Sequence, residues 1–299
     1  MNLKRRSFLL SLCVFVFCAD SIHASVKMLQ TNDTVVIYGE PLSAVAKEVA
    51  SIYPAVKDEL VKTLAWEVDF RPEVVLVNDR DKFRRTAGGD MIIAFALPER
   101  NIIVLDTSRV YTKPFTLETT LKHELCHLIL HRNIAGEKLP RWLDEGVCQW
   151  ASGGIAELMT SESGKALAKA VVSERLISLS ELERFPSDER SLILAYEESK
   201  SIVEYIVRNY ERKGILHVLG HLKEGDSVKE SIQKGLSVPF PDLEKRWYVY
   251  LKREHTWFSY LSDNLYTILF SLAAVVTVYG FIRLLQKKRA YKDEEEESP

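Results

Sequence analysis

The run His123-Glu124-Leu125-Cys126-His127 holds the side chains best suited to chemistry in this chain. Residues four apart share one face of a helix, so His123 and His127 can bind a single tetrahedral Zn²⁺ through their imidazole nitrogens. Glu124 stands beside them and can reach a water molecule on the metal. The same run could also occur in a helix that binds no metal. The flanking sequence therefore decides how it is interpreted.

The flanking residues have the pattern of two helices. Apolar residues recur at helical spacing from Leu117 to Ile129, and Pro114 precedes them as a helix boundary. Leu139 to Gly146 begins a second helical stretch. Within it, Glu145 stands close to the separation at which zinc hydrolases of the His₂Glu class place their third ligand. We therefore expect two helices joined by a short loop, which brings the Glu145 carboxylate to the metal.

Neighbouring residues are less suited to be the third ligand. His131 continues the four-residue series, but the helix from His123 to His131 rises about 12 Å, too far for both to share a zinc ion. Metzincins break the helix with a glycine at the position that Leu130 occupies here. Asp144 points about 100° away from Glu145 on a helix, so we expect it to accept a hydrogen bond from a histidine N–H.

Two other pairs of residues could bind metal or each other. His217 and His221 have ligand spacing, but no carboxylate lies between them, so we expect an ordinary half-exposed helix there. Cys126 and Cys148 are the cysteines that remain if an N-terminal leader is removed. An extracytoplasmic compartment would permit a disulfide between them, whereas their apolar neighbours favour buried free thiols. The sequence leaves both states open.

The chain resembles a known family at these residues. HELCH, followed by LPRWLDEGVCQW and later by LILAYEESKSIVEYIVRNY, is similar to the gluzincin metallopeptidases of the peptidase MA-like type. These are relatives of the leukotriene hydrolases and zinc aminopeptidases, and the resemblance covers roughly Val35 to Trp247. The resemblance implies that His123, His127 and Glu145 are zinc ligands. It also implies that Glu124 is the general base and that Tyr196 donates a hydrogen bond to the oxyanion.

The oxyanion donor and the substrate type need separate consideration. Tyr196 is a candidate donor because it lies on a helix that follows the ligand helices, and an ordinary core or surface tyrosine is the alternative. The aminopeptidases carry a glycine-any-methionine-glutamate-asparagine strand that binds a free substrate amine. This chain instead has GGDMIIA from Gly88 to Ala94. Aminopeptidase activity therefore does not follow from the resemblance.

The N-terminus has the pattern of a signal peptide. Lys4, Arg5 and Arg6 precede an uncharged run from Ser7 to Ala19. As a helix this run would be about 20 Å long, too short to cross a hydrocarbon core of ~30 Å. We therefore expect residues 1–24 to be a signal peptide and the mature chain to begin at Ser25.

A second uncharged stretch, Asn264 to Ile282, would form about 28 Å of helix and is long enough to span a membrane. A buried core helix is the alternative, but the flanks favour a span, with basic residues on the cytoplasmic side. We expect a transmembrane helix over residues 264–285 and a charged cytoplasmic tail over residues 286–299. The flanking aromatic and basic residues are Trp257, Phe258, Tyr260 and Tyr266, then Arg283, Lys287, Lys288, Arg289 and Lys292.

Composition and pattern indicate the fold class. The chain has 299 residues and a formal net charge of −2, without a basic stripe in its body, so we expect no nucleic-acid partner. Short strands are predicted at Thr34–Tyr38, Glu73–Val77, Met91–Phe95 and Asn101–Leu105. A helix is predicted from Pro41 to Leu64, and helices dominate after Phe115, among them Leu192–Tyr210 and Ile215–Leu222. We predict an α+β fold: a zincin-like catalytic domain over residues 25–260, with a small N-terminal sheet and a helix-rich C-terminal part, followed by one transmembrane helix.

These expectations describe a membrane-anchored, extracytoplasmic zinc peptidase of the plasma or inner membrane. It would hydrolyse a peptide or protein substrate with a zinc-activated water and Glu124 as general base. One alternative is a catalytically weak zinc-domain protein that acts as a binding or assembly factor at the membrane. A purely structural zinc site needs no base, so Glu124 argues against it. A zinc hydrolase of non-peptide amides is the other alternative, and the sequence leaves the substrate and the oligomeric state open.

Overall fold

The protein is described by a computed structural model that covers residues 26–87, 92–111, 116–135, 138–154, 165–263 and 265–296. The signal peptide predicted over residues 1–24 lies outside these ranges. So do residues 88–91, which belong to the stretch compared with the aminopeptidases, and residues 297–299 of the predicted tail.

A five-stranded sheet forms the N-terminal part of the fold. The three inner strands are parallel, and each outer strand is antiparallel to its neighbour. The last inner strand, with the sequence IIVLD, is buried along its whole length, as expected for a parallel strand covered on both faces. The strands are β1 (Val26–Gln30), β2 (Val35–Gly39), β3 (Glu73–Val77), β4 (Ala94–Leu97) and β5 (Ile102–Asp106), in the order β1-β2-β3-β5-β4.

Helices make up most of the rest of the described chain. Two short 3-10 turns, Pro98–Arg100 and Glu181–Glu183, also occur. The helices are α1 (Ser43–Leu64), α2 (Arg80–Ala87), α3 (Leu117–Asn133), α4 (Arg141–Ser152), α5 (Lys165–Val172), α6 (Glu189–Lys223), α7 (Val228–Leu236), α8 (Phe240–Asp263) and α9 (Leu265–Glu296). The coarse prediction is therefore confirmed: the fold is mixed α+β, mostly helical, with a small N-terminal sheet and one apolar C-terminal helix.

Several elements differ from the sequence-based expectation. Strand β4 was expected at Met91–Phe95. It lies at Ala94–Leu97 instead, because these four residues pair with β5. Two helices were expected over Leu192–Tyr210 and Ile215–Leu222. This expectation is confirmed, because α6 consists of two helical segments that meet at a kink at Glu211, where φ is 57° and ψ is 177°. Strand β1 and helices α2 and α7 were not predicted, because short elements carry too few apolar residues to show a clear period.

Helix α3 is the central helix of the fold. The Thr116 side chain caps its N-terminus by accepting a hydrogen bond from the Thr119 N–H, at 3.1 Å, and Glu118 adds a favourable negative charge in the first turn. The helix contacts α1, α4 and strands β4 and β5. Most of its residues from Leu117 to Leu130 are consequently buried, including its polar side chains.

Helix α4 packs closely against α6 because position 146 has no side chain. A Cβ atom on Gly146 would lie 2.2 Å from the Ser199 carbonyl oxygen and 2.7 Å from Val203 Cγ2. Neither distance is possible between real atoms. The glycine therefore sets how near α4, which carries Glu145, can approach α6, which carries Tyr196.

Helix α9 is long and apolar enough to cross a membrane. Its segment Leu265–Leu285 has a mean hydropathy of 2.1, and none of it is buried against the rest of the protein. The predicted first residue of the span, Asn264, lies outside the described residues. An unburied apolar helix does not match the alternative of a core helix, so the structure is compatible with a membrane anchor.

A buried carboxylic acid on α6 should make stability depend on pH. Glu198 is fully buried, its Oε1 accepts a hydrogen bond from the Ile177 N–H at 3.0 Å, and its Oε2 has no hydrogen-bond partner among the described residues. Burial raises the pKa of Glu198 to about 8; the Ile177 N–H opposes this shift, and the charges of Glu244 and Glu181 add to it. The folded protein therefore binds this proton more tightly than the unfolded chain.

We expect the free energy of unfolding to fall between pH 4.5, the ordinary pKa of the group, and about pH 8. The whole loss would be at most roughly 5 kcal/mol. Glu198→Gln should match the wild type at low pH and be more stable than it at pH 8, because the amide has no proton to lose. Thermal unfolding of both proteins across this range checks the expectation. A stability difference that does not change with pH would contradict it.

Candidate metal centre

Three buried side chains from two helices meet at one point. The Nε2 atoms of His123 and His127, one turn apart on α3, are 3.1 Å apart. Glu145 on α4 places its Oε2 3.6 Å from each of these nitrogens. The exposed fractions of the three residues are 0%, 6% and 1% in the same order. Two imidazole nitrogens and a carboxylate oxygen thus converge in a buried part of the protein.

These separations fit a metal ion. Zinc bonds of about 2.0–2.1 Å in a tetrahedron would place the ligand atoms about 3.3 Å from each other. The observed separations of 3.1 and 3.6 Å lie close to this value. Two histidines and one carboxylate are also a donor set that divalent transition metals accept in proteins. The residues present can therefore hold a divalent cation and leave a fourth position for another ligand.

Asp144 orients one of the histidines. Its Oδ1 is 2.7 Å from His127 Nδ1, and its Oδ2 is 2.9 Å from His131 Nε2. The first contact favours a proton on Nδ1 of His127, which leaves the lone pair of Nε2 directed at the site. The expectation that Asp144 accepts a histidine N–H is confirmed. His131 contacts Asp144 and does not join the cluster of His123, His127 and Glu145.

The charges around His127 favour its protonated form. Burial lowers the pKa of His127, but the carboxylates of Asp144 and Glu145 outweigh burial and hold this pKa well above its ordinary value. For Asp144, burial acts in the opposite direction and raises the pKa. The charge on His127 outweighs burial, so the pKa of Asp144 lies below its usual range. A proton and a cation therefore compete for His127, because a metal ligand must be the neutral imidazole.

Tyr196 lies beside the carboxylate of Glu145, the third candidate ligand. Its hydroxyl is 3.4 Å from Glu145 Oε1, although 51 positions separate the two residues in sequence. The tyrosine is 3% exposed, its ring contacts the Phe185 ring edge-on at 5.0 Å, and its backbone carbonyl accepts a hydrogen bond from Gln149 Nε2 at 3.1 Å. The side chain is therefore held at the edge of the cluster.

Four of the five predicted site residues, His123, His127, Glu145 and Tyr196, come together in one buried region. Glu124 lies between the two histidines on α3 and is fully buried. Arg141 was not singled out from the sequence, although its Nη2 is 2.7 Å from Glu145 Oε1. The signal that could have found it is its position four residues before Glu145, the spacing of ion pairs on a helix.

His217 and His221 do not belong to the group formed by His123, His127 and Glu145. His217 is exposed, and His221 Nδ1 lies 3.3 Å from Glu224 Oε2 and 3.4 Å from Asp226 Oδ2. Both oxygens of Asp226 are already bound by a lysine, Lys234, at 2.7 and 2.8 Å.

The cysteines left open by the sequence are free thiols in the structure. Cys126 and Cys148 are both buried, one on each of the helices that carry the cluster. Burial raises the pKa of the Cys148 thiol well above its ordinary value, and the adjacent Cys126 raises it further. The Cys148 sulfur lies within 4.8 Å of donor atoms of His127 and Asp144, but a thiol with a raised pKa is a poor metal ligand at neutral pH.

A comparison with known protein families shows to which family the chain belongs. Residues 87–253 match the family model described as the Peptidase MA superfamily, and this is more than half of the chain. The chain belongs to the Peptidase MA superfamily. No curated protein sequence matches it. The match covers α3, α4 and α6, the helices that bring the candidate ligands and Tyr196 together.

Membership of this superfamily supports part of the sequence-based interpretation. It supports a peptidase-type domain of the zincin-like clan, whose members are generally metal-dependent, and the cluster of His123, His127 and Glu145 supplies groups that could bind the metal. The stretch that would distinguish aminopeptidases, Gly88 to Ala94, is described only from Ile92 onward.

Proposed function

We propose that the protein is a zinc-dependent peptidase of the gluzincin type. The observation that carries the proposal is the convergence of His123 Nε2, His127 Nε2 and Glu145 Oε2 at separations of 3.1 and 3.6 Å. Two histidines and a glutamate leave one of four tetrahedral positions for water or substrate, which is the arrangement of catalytic rather than structural zinc sites.

When bound, zinc would lower the pKa of a coordinated water and polarise the scissile carbonyl. Glu124 takes the proton of the attacking water and passes it to the leaving amine. Tyr196 donates its hydroxyl hydrogen bond to the carbonyl oxygen as negative charge grows there. Asp144 keeps the His127 ring in the orientation that presents Nε2. Glu124 and Glu145 are buried, which keeps bulk water from their carboxylates.

The proposal is tested by digesting a peptide library with the detergent-solubilised protein. We expect cleavage that stops with a zinc chelator and returns with added zinc, and elemental analysis should give near one zinc per chain. His127→Ala and Glu145→Ala should each lose most of this zinc. A metal-loaded protein that cleaves no peptide would favour the binding or assembly factor, and cleavage only of non-peptide amides would favour the other hydrolase.

We expect Tyr196→Phe to lower kcat about 10²-fold with little change in KM, because the hydroxyl would engage the oxygen mainly in the transition state. Tyr205→Phe is a matched control, since Tyr205 is a buried tyrosine on the same helix that contacts Tyr250 instead. Steady-state kinetics of both folded, zinc-loaded variants decide the role. An unchanged kcat in Tyr196→Phe would make this residue an ordinary core tyrosine.

We further propose that α9 anchors the protein in the plasma or inner membrane with the catalytic domain outside the cytoplasm. The support is the apolar segment Leu265–Leu285 together with the basic residues at and beyond its C-terminal end, from Arg283 to Lys292. Protease added to spheroplasts should then digest the domain and spare an epitope placed after Lys292. Digestion of the epitope with protection of the domain would show the opposite orientation.

A further inference from the structure

The two oxygens of the Glu145 carboxylate face different partners. Oε2 lies 3.6 Å from the Nε2 atoms of both His123 and His127. Oε1 lies 2.7 Å from Arg141 Nη2 and 3.4 Å from the Tyr196 hydroxyl. Because the carboxylate is only 1% exposed, these contacts determine its rotation about the Cγ–Cδ bond.

Arg141 is itself well placed to hold that oxygen. It is the first residue of α4 and lies four positions before Glu145, so both side chains project from the same face of the helix. Its guanidinium lies 5.5 Å from the centre of the Phe185 ring and its Nη2 is 3.4 Å from the Tyr196 hydroxyl. The stacking contact restrains a side chain that is otherwise half-exposed.

This ion pair differs from the ordinary pairs on the protein surface. A pair of exposed charges contributes little, because water screens both partners. Here one partner is a buried carboxylate, and removing Arg141 would take away the cation that lies 2.7 Å from its Oε1. A rotation of the carboxylate about its Cγ–Cδ bond would then change which oxygen Glu145 presents to the histidines.

We propose that Arg141 is a positioning residue, which holds Oε1 of Glu145 so that Oε2 alone is presented to the metal. The inference rests on the proposed metal function and extends it to a residue that would not touch the ion. With Oε1 bound to the guanidinium, Glu145 would offer only Oε2 to a metal ion. A further position would then remain for water or substrate.

The test measures zinc affinity by competition with a chromophoric chelator, on full-length folded protein in detergent. Arg141→Ala should bind zinc about 10 to 100 times more weakly than the wild type, the usual cost of losing a residue that orients a ligand. Arg141→Lys should recover most of the affinity, because an ammonium group can still bind Oε1. Apo-protein melting temperatures, recorded in parallel, report any purely structural effect.

Arg208→Ala is the matched control. Arg208 also pairs with a glutamate, Glu254 at 3.9 Å, and lies 5.6 Å from the ring of Tyr250, but on a part of α6 away from the cluster. We expect it to bind zinc like the wild type. Wild-type affinity in Arg141→Ala, or an equal loss in Arg208→Ala, would overturn the proposal while leaving the metal site intact. A wild-type protein that binds no zinc would overturn the metal function and this inference together.

Discussion

Glu124→Gln should abolish most peptide hydrolysis while the protein keeps its metal. Glu124 is not among the three residues whose donor atoms converge, so the substitution leaves His123, His127 and Glu145 in place. The amide has nearly the same shape as the carboxylate but cannot accept the proton of the attacking water. A positioned general base typically contributes about 10²–10⁴-fold to the rate, so kcat should fall by that order.

Zinc content and kcat, measured on the same preparation, separate metal binding from chemistry. The matched control is Glu118→Gln, which removes an exposed glutamate from the first turn of the same helix. It should keep both zinc and activity. If Glu124→Gln turned over substrate at the wild-type rate, Glu124 would not be the base. If it lost zinc, Glu124 would take part in metal binding.

The second large effect is expected at Gly146, where substitution by alanine should separate the two helices that build the site. The added Cβ would lie 2.2 Å from the Ser199 carbonyl oxygen, which belongs to the backbone and cannot rotate away. Helix α4 must then move, and overpacking of this kind typically costs about 1–3 kcal/mol. We expect the free energy of unfolding to fall by an amount near the upper end of this range. Zinc binding should also weaken, since the adjacent Glu145 moves with the helix.

Gly220→Ala is the control for the intrinsic effect of replacing a helical glycine. A Cβ at Gly220, on α6, would have no atom within 4 Å. The free energy of unfolding of that variant should rise by up to about 1 kcal/mol, because alanine favours the helix more than glycine does. Denaturant unfolding and zinc titration of both variants test the pair. Equal stability of Gly146→Ala and the wild type would contradict the close approach of α4 and α6.

The part of the site that lies on one helix could be predicted well from the sequence. The positions of His123, Glu124 and His127 follow from helical periodicity, because the 3.6-residue repeat alone determines which side chains share a face. The same periodicity located α1 and the apolar segment of α9. Some short elements, such as β1 and α7, escaped prediction because their patterns are too short to distinguish from chance.

Contacts between helices were only partly predictable. The sequence indicated that Glu145 and Tyr196 belong near the histidines, through spacing and resemblance, but it could not show how they would be held. Which histidine Asp144 contacts, the pairing of Arg141 with one oxygen of Glu145 and the need for glycine at position 146 emerged only from the packed structure.

The sequence by itself determined the types of donor atoms, their spacing on α3 and the presence of an apolar C-terminal helix. These are local properties, because they depend on residues within a few turns of one helix. The tertiary structure decided which carboxylate oxygen faces the histidines and which side chain holds the other one. Those choices depend on the distance and rotation between α3, α4 and α6, which are set by packing among residues that are far apart in the chain.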